Sequence, residues 1–253
     1  MTVFVFAIET IPDIEGGRRL YKLDDLSDKD VASVMFHKRR QETGDSELLR
    51  LHLHRVVAIS LAVRDDETFN VCSLGEPDAS EEAIIRGFFE GIERHDPSLI
   101  SWNGGGFDLP VLHYRSLVHG ISAPRYWESG EKESGNHCSG RHHTALMDVL
   151  AGFQPRANAP LNEMAALLGF PGKAGMSGDK VWDAYRDGDI RSIRDDCETD
   201  VLNTYLVYLR FQLIRGRLTH EEYARECRLV RETLHQEGKA HLDRFLAAWP
   251  EQT

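Results

Sequence analysis

Three short apolar runs, Val3 to Ile8, Arg55 to Val63 and Leu99 to Trp102, are spaced among stretches of helical periodicity, and this order restricts the chain to a sheet packed against helices. Pro12 with Gly16-Gly17 is expected to end the first strand. Asp65-Asp66-Glu67 turns the second back into a hairpin partner over Thr68 to Leu74. Ile84, Ile85, Phe88, Phe89 and Ile92 give Glu82 to Arg94 a helical face, and Leu109 to Val118 reads as another helix. Leu161 to Leu168 is a helix stopped by Gly169 and the turn at Pro171-Gly172-Lys173. From Ile190 onward the chain is helical, with Val201, Leu202, Tyr205, Leu206, Leu209 and Leu213 on one apolar face.

Three segments are less determined. Residues 23–51 are polar and helix-prone, and Lys38-Arg39-Arg40 with Gly44-Asp45-Ser46 marks them as an exposed excursion. Trp127 to His143 reads as a glycine- and charge-rich loop. Periodicity leaves Ala145 to Leu150 open between a strand and a buried helical turn.

With 41% hydrophobic and 28% charged residues over a length of 253, the chain can bury one substantial core, expected as a domain over 1–215 with a helical extension, 216–253, packed on it. No apolar run reaches the length of a membrane span, and no secretory leader is evident, so no membrane partner and a cytoplasmic location are expected. Cys72, Cys138, Cys197 and Cys227 lack paired spacing, which favours reduced thiols. A net charge of -11 argues against gripping long duplex nucleic acid, although a cleft for a short single-stranded end is compatible with it. His137, Cys138, His142 and His143 have no Cys-x-x-Cys pair beside them, so structural zinc is not expected.

Carboxylates fall at three informative places. Residues 7 and 9 share a face of the first strand, where an acidic pair could share a metal, but only Glu9 is acidic. Asp108 follows Asn103-Gly104-Gly105-Gly106-Phe107, whose glycines permit close approach of a ligand or positive φ, with Asn103 able to brace the turn or bond a substrate. Asp196 and Asp200 lie four apart on one face of a helix, where like charges repel unless a cation or partner is near. Taken singly, Glu9 reads as a solvated loop residue, Asp108 as a helix-start acid and the Asp195 to Asp200 cluster as surface acidity.

The ordered set resembles the DEDD superfamily of 3′-to-5′ exonucleases, in particular the bacterial stand-alone group similar to the proofreading domain of family B DNA polymerases. The segments that carry the resemblance are Phe6 to Asp13, His54 to Ser60, Ser101 to Pro110, Leu168 to Lys173 and Cys197 to Tyr205. It implies an α/β, ribonuclease-H-like mixed sheet flanked by helices and two divalent cations, Mg²⁺ or Mn²⁺. The family's four acids fall on Ala7, Glu9, Asp108 and Asp200, so that Glu9, Asp108 and Asp200 become the expected metal ligands.

Ala7 departs from the pattern. The family's Asp there bridges two cations, and a pair roughly 3.5 to 4 Å apart needs shared carboxylates to offset its repulsion. The expectation is an impaired or dead exonuclease, through an engineered Asp-to-Ala change in an otherwise intact motif or as a natural pseudo-enzyme. Asp196 stands where one subgroup has a water-orienting Tyr, and Asp195 where another has His. Asp196 is therefore a candidate catalytic base or water acceptor. Thr10, Asn103 and Phe107 are the expected substrate contacts; Phe107 or Trp102 would stack on a base, although Trp102 reads more readily as core packing. The implied reaction is hydrolysis of the terminal phosphodiester of single-stranded nucleic acid, DNA favoured over RNA, in a DNA repair setting. The alternatives are a non-catalytic single-strand binder and a structural partner in a replication or repair complex.

Overall fold

The computed structural model describes residues 2–131, 143–172, 176 and 178–250. In chain order the elements are β1 (Val3–Pro12), α1 (Ile14–Tyr21), α2 (Asp28–Thr43), β2 (His54–Arg64), β3 (Phe69–Ser73), α3 (Glu81–His95), β4 (Ser98–Ser101), α4 (Asp108–His119), α5 (Pro124–Glu131), β5 (His143–Ala145), α6 (Leu146–Leu150), α7 (Leu161–Leu167), α8 (Val181–Arg186), α9 (Ile190–Ile214), α10 (His220–Glu237) and α11 (Ala240–Ala248). The strands form one mixed sheet in the order β3-β2-β1-β4-β5, with β2 antiparallel to β1 and β3, and β4 parallel to β1 and β5. A mixed five-stranded sheet flanked by helices is an α/β fold consistent with a ribonuclease-H-like domain.

Both faces of the sheet are covered. Phe4, Phe6, Ile59 and Leu61 pack with Ile85, Phe88 and Phe89 of α3 and Leu109 and Leu112 of α4. On the opposite face, Val5, Ala62 and Val71 meet Val201, Leu202, Tyr205 and Leu206 of α9, and this core continues into Val230 and Leu234 of α10 and Leu242 and Phe245 of α11. Further along that face, Ile11 and Ala58 pack with Val181, Ile193 and Cys197. The helix α9 therefore lies across β1 and β2, which brings its acidic turn to the strand that carries Glu9.

The predicted strands and the helices at 82–94, 109–118, 161–168 and beyond 190 all form. Several boundaries differ. β1 runs on to Pro12, because its pairing with β2 continues to Pro12↔His54. Gly16 and Gly17 do not end it; they lie within α1, where a Cβ on Gly17 would collide with the sulfur of Met35. The 23–51 excursion holds α2, and one face of that helix, Val31, Ala32 and Met35, is buried with Leu49 and Leu53. Trp127 is in α5 rather than a loop, while residues 132–142, with His137, Cys138 and His142, lie outside the described set. The stretch 145–150 is both readings in succession, the end of β5 followed by α6. No helix among the described residues is long and apolar enough to cross a membrane. Cys72, Cys197 and Cys227 are free.

Candidate active site

Glu9 leaves β1 where the ladder with β2 is irregular. The register passes from Glu9↔Ala58 to Thr10↔Val56, so Val57 is an extra residue on β2. A bulge of this kind increases local twist and re-aims neighbouring side chains, and such irregularities concentrate beside active sites. The carboxylates of Glu9, Asp196 and Asp200 each offer an oxygen, and those three atoms lie within 4.8 Å of one another. Asp196 is 6% exposed and its Oδ1 accepts the Met176 amide at 2.9 Å. The i, i+4 spacing on α9 thus places both aspartates against the end of β1.

Ala7 lies on the same face of β1, half-buried and packed against the two hydrophobic clusters on that side of the sheet. It presents a methyl group, and its carbonyl accepts the Cys197 thiol at 3.4 Å. Burial, reinforced by the charges of Glu9 and Asp200, holds that thiol well above its ordinary pKa. Cys197 is thus a neutral core residue, not a nucleophile.

Asp108 is not a member of the three-carboxylate group. β4 pairs with β1 only as far as Val5↔Ile100, so the Ile8 amide lies past the end of that ladder. The Oδ1 of Asp108 accepts it at 3.2 Å. Burial pushes the Asp108 carboxyl up to about 7, and the Asp200 charge adds to the rise while the two backbone hydrogen bonds oppose it. Asp108 therefore flanks the cluster closely enough to feel it electrostatically.

The glycine turn is set by close approach. None of Gly104, Gly105 and Gly106 has positive φ, but a Cβ on Gly104 would overlap the Ser101 hydroxyl and one on Gly106 would come within 2.5 Å of Asn103 Oδ1. Ser101 Oγ also accepts the Gly104 amide at 2.9 Å, and the Asn103 carbonyl accepts the amides of Gly106 and Phe107. Asn103 thus braces the turn that delivers Phe107 and Asp108.

Beside Glu9 opens a cavity of about 550 Å³ lined by Thr10, His54, Phe107, Phe36, Leu48 and Trp182. His54 stands edge-on to Phe107 with ring centroids 5.2 Å apart. Burial lowers the His54 pKa, which keeps the ring neutral near pH 7. Its Nε2 is placed to donate to the Leu49 carbonyl at 3.2 Å, so Nδ1 accepts the Thr10 hydroxyl at 2.8 Å. The Thr10 oxygen is left as an acceptor on the cavity wall.

The profile of a family described as "Predicted 3'-5' exonuclease related to the exonuclease domain of PolB" matches residues 46–249. The chain belongs to this family. Comparison with curated proteins returned no match. The matched stretch of this PolB-related exonuclease contains Asp108, Asp196 and Asp200, whereas Glu9 and Ala7 precede it and join the site through the pairing of β1 with β2 and β4.

The donor set suits one hard divalent cation. Carboxylate oxygens with no nitrogen or sulfur in the group are the ligand chemistry of Mg²⁺, Mn²⁺ or Ca²⁺, not of zinc. Position 7 adds a methyl group and no further ligand atom to the group.

Sequence reasoning passed over His54 and Trp182 as site residues. His54 carries a weak signal, a histidine at the start of the clearest strand; Trp182 carries none, because its place depends on how α8 packs against β1. Lys38, Arg39 and Arg40 are occupied locally: Lys38 lies over the Tyr21 ring, and the arginines pair with Glu42 and Glu47.

Proposed function

We propose that this chain is a 3′-to-5′ exonuclease acting on single-stranded nucleic acid, DNA in preference to RNA, whose hydrolytic step is impaired by Ala7. The observation that carries the reading is the convergence of Glu9, Asp196 and Asp200 to within 4.8 Å in a member of the PolB-related exonuclease family. Mg²⁺ or Mn²⁺ is the cofactor of this reading, held by Glu9, Asp196 and Asp200, with Asp108 at its margin. Such a cation, when bound, offsets charge on the phosphate and activates water.

The chain's own groups supply the rest. Asp196, in the position of the family's water-orienting residue, accepts a hydrogen bond from the attacking water or takes its proton. Thr10 Oγ1, with its proton committed to His54, accepts from a donor such as a terminal sugar hydroxyl. Phe107 offers an apolar wall to the terminal base, and Asn103 keeps Phe107 and Asp108 in place. A cytoplasmic role in DNA repair suits an enzyme of this chemistry with free thiols.

The methyl of Ala7 favours a second reading, a binder of single-stranded ends that has lost hydrolysis. End-labelled single strands incubated with this chain and with Ala7→Asp, in Mg²⁺ or Mn²⁺, separate the two. Stepwise shortening by Ala7→Asp alone supports the exonuclease. Tight binding without shortening by either protein moves the assignment to the binder.

A further inference from the structure

A second cavity, of about 460 Å³, adjoins the one beside Glu9, and Ile11 and Trp182 line both. Its charges are unevenly matched. Five carboxylates line it, and each is already paired: Asp13 with Arg115, Glu81 with Arg115 and His119, Glu15 and Asp28 with Arg18, and Glu82 with Arg86. Arg19 and Arg55 line the same cavity, and among the described residues neither has an ion pair or a hydrogen-bonded side chain. Two guanidinium groups are thus spare in a cavity whose acids are neutralised locally.

The position of Arg55 is tied to the acid cluster. Arg55 pairs with Ile11 in the β1/β2 register, and Ile11 lies two residues beyond Glu9 on the same face, a step of about 7 Å along the strand. The ridge between the cavities is aromatic: Trp182 is half-buried, the Tyr185 ring lies 6.4 Å away at 15° to it, and the Arg186 guanidinium is 6.0 Å from its centroid. A flat ring beside uncommitted arginines is the chemistry that holds single strands, bases stacking on the aromatic face and phosphates meeting the cations.

We infer that the substrate strand crosses the Trp182 ridge from the Glu9 cavity into the second one, with a base stacked on Trp182 and backbone phosphates on Arg55 and Arg19. This path rests on the exonuclease reading and extends it to nucleotides upstream of the terminal one. It explains how a chain with net charge -11 can hold an anionic strand: the cations are few, local and unspent.

The test is fluorescence anisotropy of labelled oligothymidylates, a dinucleotide and a strand of roughly ten nucleotides, the scale of a single-strand site, titrated with this chain in Mg²⁺ over a range of salt. Arg19→Gln and Arg55→Gln should each weaken the longer strand several-fold and flatten its log K against log salt by about 0.7, the loss of one phosphate contact. Dinucleotide affinity should be unchanged. Trp182→Ala should weaken the longer strand and Trp182→Phe should restore it, which separates stacking from loss of packing on α8. Neither arginine has a side-chain partner to lose among the described residues, so their variants report on the strand alone, with unchanged thermal melting as the control. Parent affinity and salt slope in both arginine variants would overturn the path while leaving the exonuclease reading standing. No binding of either oligonucleotide by the parent would overturn both.

Discussion

The carboxylate of Asp108 accepts the amide of Ile8 at 3.2 Å, joining the first turn of α4 to the strand that carries Glu9. The bond satisfies a main-chain donor that β4 is too short to reach, so Asp108 has a structural role whatever cation binds nearby. Asp108→Ala should destabilise the metal-free protein by about 1–3 kcal/mol, the cost of a buried donor left unmatched. Asp108→Asn keeps an acceptor oxygen and should fall well short of that loss. Urea midpoints in EDTA check the pair, and equal losses in the two variants would remove the hydrogen bond from the account.

The carboxylate group predicts a measurable single-cation site in the chain as it stands. Mn²⁺ at tenfold excess over its dissociation constant should stabilise the protein by about 1.4 kcal/mol. Glu9→Gln, Asp196→Asn and Asp200→Asn should each reduce that stabilisation, whereas Ala7→Asp should raise the number of ions bound. Calorimetric titration with Mn²⁺ gives both affinity and stoichiometry. Undiminished affinity in Asp196→Asn would take that residue out of the ligand set.

The C-terminal helices are fastened to α9 by a buried polar cluster. His241 on α11 places Nε2 2.8 Å from Glu198 and Nδ1 3.2 Å from Asp195, and Glu198 also accepts the Ser73 hydroxyl. Burial alone would raise the Glu198 pKa, but its hydrogen bond with His241, the Lys239 charge and the Ser73 hydroxyl outweigh it and leave the carboxyl below its ordinary value. His241→Ala leaves that buried carboxylate short of its main partner and should cost about 3 kcal/mol. Removal of Leu242, fully buried one residue later, should cost a comparable amount through cavity formation, about 2–5 kcal/mol on truncation to Ala. Thermal melts of His241→Gln beside His241→Ala separate the polar contribution from packing, since Gln can keep one of the two bonds.

Much of this architecture was legible in the sequence because its signals are local. The near-continuous apolar run from Val56 to Val63 states a strand buried on both faces, and the helical spacing around Phe88 and Phe89 and the apolar face of Val201 to Leu209 each state a helix and its buried side. The pairing of Asp196 with Asp200 follows from helical spacing alone. Other features depend on register and tertiary packing, which no local pattern encodes. Gly16 and Gly17 read as breakers yet sit in a helix, because contact with Met35 leaves no room for a side chain at Gly17. Asp108 looks like an ordinary helix-start acid, and its bond to Ile8 exists only because β4 stops early. The union of Arg115, Glu81, Asp13 and His119 is invisible as four polar residues scattered over about a hundred positions.

Two half-buried histidines should make the fold acid-sensitive. His113 shares a hydrogen bond with the Tyr126 hydroxyl at 2.8 Å and His143 with the Ser101 hydroxyl at 2.8 Å, and burial lowers both rings to about 4, from an ordinary 6.5. The folded state keeps these rings neutral, while the unfolded chain takes up protons once pH drops below 6.5. Their contribution to stability is therefore complete above pH 6.5 and declines as pH falls towards 4, by at most about 3 kcal/mol per ring and less for the partly exposed His113. Carboxylates titrate in the lower part of that window too, so the informative quantity is the parent's loss between pH 7 and pH 5 minus that of His143→Gln. Gln cannot protonate, and the variant should lose less over this interval even if it is weaker at pH 7. Equal losses in urea titrations at the two pH values would mean that His143 is already charged in the folded protein, or solvated enough not to matter.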